Sequence, residues 1–351
     1  MNKVRIGLVG AGKIAQVCCA KILEHPSAAV TAVHDVNAQR MEQLRQAHQI
    51  PNACATVEAM LARDDVDAVY IAVPNKFHKP LAVKALNAGK HVLLDKPFAM
   101  NLAEAQEIAR AAREARKILM LGMNQRYCPD SQKIRSIVAD GGLGEIYHAK
   151  AFWMRREGIP RLGTWFCNRS TAGGGCMLDI GVHVLDLCLF LMDNWSPVSV
   201  FGCTYSKFGS RGLGEGGWGL SECENIPFDV DDLTTATVRF ANGASVSIDA
   251  SWAAHMDVHN KNDVLLFGTQ AGAGTYPARL FRRDPHREGY SVIEDVNAKI
   301  AMKHADRFHN FVNVILGIEE PLVTVEQALV VQKIIDGIYE SCRTGKSVDL
   351  S

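Results

Sequence analysis

None of the ten cysteines (Cys18, Cys19, Cys54, Cys128, Cys167, Cys176, Cys188, Cys203, Cys223 and Cys342) belongs to a CxxC pair. The usual signature of a zinc site is therefore missing, and no metal is expected. Charge of one sign is missing too. Lys plus Arg (38) balance Asp plus Glu (38), so nothing would draw the chain to nucleic acid or to an anionic membrane. No segment offers 18 uncharged apolar residues, and Met1 leads within three residues into the apolar run Val4 to Val9, without the parts of a signal peptide. Reduced, mostly buried thiols and a cytoplasmic location are the expectations. There is no internal repeat, and 48% hydrophobic with 22% charged residues excludes a disordered or collagen-like chain. What remains is a globular protein of 351 residues, more than twice the size of a domain of about 150. Two domains sharing a cleft of small-molecule size are expected.

The first third alternates short apolar runs, Val4 to Val9, Ala29 to His34, Val69 to Val73, His91 to Leu94 and Ile118 to Gly122, with amphipathic stretches. Those stretches, Ile14 to Glu24, Ala38 to His48, Pro80 to Ala88 and Leu102 to Ala115, read as helices. Continuous apolar strands imply a parallel, doubly wound sheet covered on both faces, with ligands beyond the strand carboxyl ends. This Rossmann-type α/β domain is assigned residues 1–122. From 123 to 351 the pattern becomes α+β. Runs at Ile146 to Trp153, Val198 to Tyr205, Leu233 to Phe240, Ala244 to Trp252 and Asp263 to Phe267 alternate and read as antiparallel strands of a large, mostly antiparallel open sheet. Ala241-Asn242-Gly243 marks a hairpin between two of them. Helical patterns at Ser131 to Asp140, His183 to Met192, Asp306 to Leu316 and Val325 to Arg343 are expected to cover one face of it, with the last able to pack back on the first domain. Six glycines in the eleven residues Gly209 to Gly219 predict a loop, either a lid over the cleft or a plain surface connection.

Gly10-Ala11-Gly12-Lys13-Ile14-Ala15 follows the first strand and opens the first helix. This GxGxxA string has the context its mechanics require. Gly10 permits the tight turn, Gly12 lets backbone approach a pyrophosphate, and small Ala15 allows close packing of helix on strand. Lys13 and Ile14 follow the turn and join the cofactor contacts. Asp35, at the end of the second strand, is placed to accept the ribose hydroxyls of the adenosine half. A 2′-phosphate there would meet a like charge, which argues for NAD over NADP, although Arg40 stands close enough to compensate in part.

Two further turns face the nicotinamide side: Pro74-Asn75 with His78, and Asp95-Lys96-Pro97. The second domain supplies Gly173-Gly174-Gly175 followed by Asp179, His183 and Asp186. A helix starting near Asp179 would set Asp179 and His183 as i,i+4 neighbours about 5 to 6 Å apart at Cβ, with Asp186 able to orient the imidazole. The three glycines suggest backbone packed against something flat, such as a nicotinamide ring. Read as structure, the same residues are a helix N-cap and a satisfied core histidine.

Taken with Asn124-Gln125-Arg126-Tyr127, these motifs resemble the Gfo/Idh/MocA family, the glucose-fructose oxidoreductase and inositol dehydrogenase group, over nearly the whole chain. The resemblance implies a Rossmann domain joined to a substrate domain on a large open sheet. It also implies a catalytic set matched here by Lys96, Asp179 and His183, a cis Lys96-Pro97 bond, and a homodimer or homotetramer packed through the second sheet. Asp95 departs from the glutamate usual before Lys-Pro. The stretch from Arg155 to Trp165-Phe166 is similar to members acting on glycosides or polyols, including glucoside 3-dehydrogenases. Gln125, Arg126, Tyr127, Trp153, Arg155 and Trp165, with Asp179 and His183, are then the candidate substrate contacts. The expected activity is NAD-dependent oxidation of a secondary hydroxyl of a sugar, glycoside or cyclitol. A redox-neutral NAD-using glycosidase or lyase, and a non-catalytic NAD-binding sensor, stay open as alternatives.

Overall fold

The five apolar runs and a two-residue edge strand the sequence did not announce form a parallel sheet: β1 (Val4–Val9), β2 (Ala28–His34), β3 (Asn52–Ala53), β4 (Ala68–Ile71), β5 (His91–Leu94) and β6 (Leu119–Leu121), in the order β3-β2-β1-β4-β5-β6. The structure is a computed structural model and describes residues 3–219, 223–283, 289–293, 296–298, 300, 302 and 306–351. Every residue of β4 is buried, which is what its unbroken apolar sequence requires of a strand with helices on both faces. The strand order reverses between β1 and β4, so the loops leaving their carboxyl ends part and open a crevice there.

The second sheet contains β7 (Ile146–Arg155), β8 (Pro197–Tyr205), β9 (Leu233–Phe240), β10 (Ser245–Ser251), β11 (Asn260–Gly268), β12 (Ala271–Gly274), β13 (Arg279–Arg283), β14 (Tyr290–Ile293) and β15 (Val348–Asp349). Their order is β14-β13-β12-β11-β7-β10-β9-β8-β15. Gly243, at φ +86°, turns the β9–β10 hairpin as its Asn-Gly step predicts. The sheet is mostly antiparallel, as expected, but two of the runs read as antiparallel, β7 and β10, pair with each other in parallel. Alternation reports that one face is buried, and is silent on strand direction. The inward residues Ala149, Ala151, Ala236, Val238, Val246, Ile248 and Ala250 are buried in the same core as the helix Val182–Met192, itself buried on all sides. That helix belongs to the stretch 169–192, which is long and apolar enough to cross a bilayer, but its apolar window is entirely buried inside the fold.

A second correction concerns the helix Arg307–Ile315. It does not cover the second sheet. Phe308, Phe311 and Val312 pack with Ile6, Leu8 and Tyr70 on the first sheet, and Asp306 caps the helix by accepting from the N–H groups of Phe308 and His309. The last helix, Val325–Thr344, lies against β8, with Gly337 close to Val200 and Gly345 ending it at φ +69°. Its Asp336 also accepts from the Leu102 N–H (2.7 Å), at the start of the helix Leu102–Ala115 in the first domain.

Candidate functional site

A cleft of about 750 Å³ opens at the reversal point between β1 and β4. Its floor is the glycine turn. A Cβ on Gly10 would sit 2.3 Å from the Ala72 carbonyl oxygen, at φ +107°, so the position requires glycine. Gly12 differs. A Cβ there would meet no atom within 4 Å, so the space beside it is open cleft. The helix Lys13–Leu23 begins at that point with no side-chain cap and no acidic residue in its first turn, leaving its N–H groups and positive dipole end for an anion. Gly10, Gly12, Lys13, Ile14, Asp35, Arg40, Pro74, Asn75, Asp95 and Lys96 all line the cleft. Asp35 is held by the Ala11 N–H at Oδ2 (2.6 Å) and the Asn37 N–H at Oδ1 (2.7 Å), which fixes its carboxylate beside the turn. These residues fit a dinucleotide.

The second domain closes the other side of the cleft. The Lys96 ammonium donates to Asp179 Oδ1 (2.7 Å) and to the Asp179 carbonyl (2.8 Å), joining the end of β5 to the turn before the buried helix. That turn, Met177–Gly181, is π-helical, so the regular i,i+4 helix expected from Asp179 onward begins only at Val182. The Trp252 indole N–H fills Asp179 Oδ2 (2.8 Å). Burial pushes the Asp179 carboxyl up, but Lys96, with help from Trp252, holds it below the usual carboxylate value. With both oxygens occupied, Asp179 anchors Lys96 and is poorly placed to take a proton itself. His183 also lines the cleft; its buried Nδ1 has no partner among the described residues. Burial, reinforced by the Lys96 charge, pushes its pKa down to about 3, so the imidazole is neutral at physiological pH and able to accept. The Lys96-Pro97 peptide is cis.

Several residues read as site residues serve the scaffold instead. His78 is buried and does not line the cleft, its ring nitrogens near the Pro97 carbonyl (2.8 Å) and the Val73 carbonyl (3.1 Å), so it ties the Pro74-Asn75 turn to the Lys96-Pro97 turn. Arg126 and Asp186 form a fully buried bidentate pair (2.8 and 2.6 Å), which removes Arg126 from the substrate contacts and Asp186 from any role in orienting His183. Tyr127 is buried and donates to Asn310 (3.1 Å), while Gln125 accepts from Tyr276 (2.6 Å); neither lines the cleft. Gly174 and Gly175 line it, but their missing side chains are explained by the protein itself: a Cβ would meet Tyr339 Oη at 2.1 Å or the Asp231 carbonyl oxygen at 1.9 Å.

Trp153 and Arg155, both on β7 and read as substrate contacts, are not among the residues that line the cleft. The Trp153 ring lies 6.0 Å from that of His183, and the Arg155 guanidinium covers Trp153 at 4.8 Å. Trp165 lines the cleft, stacked at 3.7 Å on Phe166, whose ring meets Trp218 edge-on at 5.7 Å. Trp218 belongs to the glycine-rich loop. Its carbonyl accepts from Lys13 Nζ (2.9 Å), and it lines the cleft with Gly219, so the loop lies over the glycine turn. Phe166, Asn124 and Trp218 also line the cleft; the first two stand in motifs legible in the sequence and Trp218 beside its glycine-rich loop, though none was placed among the site residues. Trp252 and Arg307 line it as well and carried no local signal.

Two buried histidines, His78 and His183, and the half-buried His91 make acid stability a test of this geometry. His183 is pushed down to about 3 and His91 to about 4, each chiefly by burial, and burial lowers His78 too. Below pH 6.5 the unfolded chain binds protons that the folded chain refuses. Stability is then complete above that pH and falls as pH drops, by about 1.4 kcal/mol per unit for each fully linked proton. Urea midpoints measured between pH 7.5 and 5 are expected to decline, and His91→Asn to flatten the decline. A midpoint independent of pH over that range would contradict the burial of these rings.

Comparison with known proteins gives two family matches. Residues 4–123 match the oxidoreductase family with an NAD-binding Rossmann fold, and residues 131–273 match the GFO/IDH/MocA C-terminal domain. D-glucoside 3-dehydrogenase of Escherichia coli K12 is 29% identical over 351 residues, covering 99% of this chain and 98% of its own. The 1,5-anhydro-D-fructose reductase of Ensifer adhaerens is 32% identical over 239 residues, 68% of this chain and 66% of its own. A levoglucosan dehydrogenase solved with NADH and levoglucosan superposes with a TM-score of 0.85, covering 99% of this chain and all of that one; at 21% identity this is a likeness of fold.

Proposed function

This chain belongs to the Gfo/Idh/MocA oxidoreductase family, and from that premise we propose that it is an NAD-dependent dehydrogenase oxidising a secondary hydroxyl of a glycoside, sugar or cyclitol. One observation carries the reading. The Lys96–Asp179 pair sets an ammonium and the neutral imidazole of His183 in one cleft with an open, uncapped glycine turn. The nicotinamide, when bound, supplies the hydride acceptor. His183 takes the hydroxyl proton, Lys96 hydrogen-bonds the reacting oxygen and stabilises the charge that develops on it, and Asp179 keeps the ammonium aimed. Trp165, Phe166 and Trp218 give the cleft flat apolar faces of the kind a sugar ring stacks on. The relatives that act on glucosides and anhydrosugars support the substrate class. On the same reading a second copy of the chain packs on the outer face of the second sheet, where Phe201 is exposed and Phe152, Leu265 and Phe267 are only partly covered.

A screen of glycosides, free sugars and inositols with NAD and NADP, read at about 340 nm, tests this. Accumulating NADH is the expected result. Release of an aglycone with no net absorbance change would assign a redox-neutral cleavage instead, and dinucleotide binding without turnover of any compound would assign a sensor. Cofactor choice is expected to follow Asp35. NAD should be preferred, and Asp35→Ser should narrow the gap, because the carboxylate accepts from a diol and repels a phosphate. A kinetic preference for NADP of about tenfold or more in the unmodified protein, some 1.4 kcal/mol, would overturn the assignment.

A further inference from the structure

Asp95 and Asp179 are both carboxylates that Lys96 touches, yet its ammonium bonds only one of them. The Asp95 Oδ1 atom accepts from the Lys96 backbone N–H (2.8 Å), and Oδ2 accepts from the Tyr70 hydroxyl (2.7 Å). The third group on Asp95 is Arg307, whose Nη2 lies 3.5 Å from Oδ2. Arg307 is buried at the start of the helix that returns from the second domain, and is held from behind: Nη1 donates to the Gly122 carbonyl (3.2 Å) and Nη2 to Tyr70 (3.2 Å) and to Cys18 Sγ (3.5 Å). Gly122 makes the approach possible, since a Cβ there would sit 2.9 Å from Asp95 Oδ1 and 3.4 Å from Arg307 Cζ. Arg307 also forms part of the cleft wall.

We propose that Arg307 is a positioning residue for the catalytic lysine: by neutralising Asp95, it leaves the Lys96 ammonium to Asp179. The physical reason is a competition over charge. An unpaired, enclosed carboxylate one residue from Lys96 attracts its ammonium strongly, because interactions between charges grow as water is excluded. With Arg307 and Tyr70 on it, the Asp95 carboxylate has its charge offset within the pair, and the Lys96 ammonium is left to Asp179. Aspartate at position 95 suits this arrangement, because its short side chain keeps the carboxylate close to its own backbone, against Tyr70 and Arg307.

The inference rests on the reading that Lys96 acts in catalysis, and charge compensation provides its test. Arg307→Met is expected to lower kcat by about tenfold or more, with KM for the dinucleotide changing less, and to shift the pH dependence of kcat. Asp95→Asn introduced into that variant is expected to restore kcat to within about threefold of the unmodified enzyme, since removing the unpaired anion removes the competitor. A second readout needs no turnover. Labelling of Lys96 by an amine-selective acylating reagent, followed by peptide mass spectrometry, should slow in Arg307→Met and recover in the double variant. If Arg307→Met does not fold, a folded and active double variant supports the compensation, and a folded but inactive one overturns it. Arg307→Met with unchanged kcat and unchanged labelling also overturns it. Lys96→Ala is the control: full activity there defeats the catalytic reading, whereas loss of activity there with no rescue by Asp95→Asn defeats only the role of Arg307.

Discussion

Lys96→Ala and His183→Ala are each expected to lower kcat by about 10²-fold or more, while dinucleotide affinity changes little. The separation follows from where the groups stand. On the proposed reading the dinucleotide is held by the uncapped turn at Gly12 and by Asp35, whereas Lys96 and His183 line the cleft with Asp179 and Trp252, on the side supplied by the second domain. Losing the lysine also leaves the buried Asp179 carboxylate without its ion-pair partner, and losing the histidine removes the neutral imidazole from the cleft. The double variant should fall little below the worse single one, because a proton relay missing one member has nothing for the other to assist. Steady-state kinetics on the best compound from the screen, with NADH binding followed by fluorescence, decides the matter. Two single variants with near-normal kcat would leave the proposed dehydrogenase without its mechanism. Loss of NADH binding or folding along with kcat would make both residues structural.

Arg126→Ala is expected to act in the opposite way, destabilising the fold by about 3–5 kcal/mol and leaving KM for the sugar essentially unchanged in whatever folded protein survives. Its guanidinium is completely enclosed, bidentate to Asp186, and donates through Nη1 to the Leu322 carbonyl (2.9 Å) and Gln327 (2.5 Å), between the rings of Phe190 and Trp195. Removing it leaves an unpaired carboxylate in the core. Arg126→Met combined with Asp186→Leu should cost less than Arg126→Ala alone, since no charge then remains buried. Denaturant unfolding of the two variants and the unmodified protein measures this. A raised KM in a variant of normal stability would return Arg126 to the substrate site.

Arg126 also shows where the sequence stops being legible. An arginine beside aromatic residues after a strand looks the same whether it holds a substrate or a buried aspartate sixty positions away, because only the fold says which carboxylate it meets. The same holds for His78 and Tyr127. The glycine turn was legible for the contrary reason: the tight turn and the helix start it needs lie within six residues, and Gly10 and Gly12 behave as their spacing requires. Lys96 and His183 could be named from motif resemblance, but Trp252 and Arg307 reach the cleft from distant strand and helix ends and leave no local mark. Amphipathic stretches likewise announced that a helix would bury one face at Arg307–Ile315, but not which sheet it would cover.

That returning helix bears on how the chain can be divided. The stretch that resembles a self-sufficient nucleotide-binding module ends at residue 123, yet the apolar surface over Ile6, Leu8 and Tyr70 is sealed by Phe308, Phe311 and Val312, almost two hundred residues later. Burial of each large side chain there contributes about 1.5–3 kcal/mol, comparable with much of the margin by which a domain of that size stays folded. The limit of sequence similarity is therefore not a limit of autonomy. The first domain is completed by the last part of the chain, and the cofactor half could not be exchanged between relatives as a cassette without carrying that helix with it.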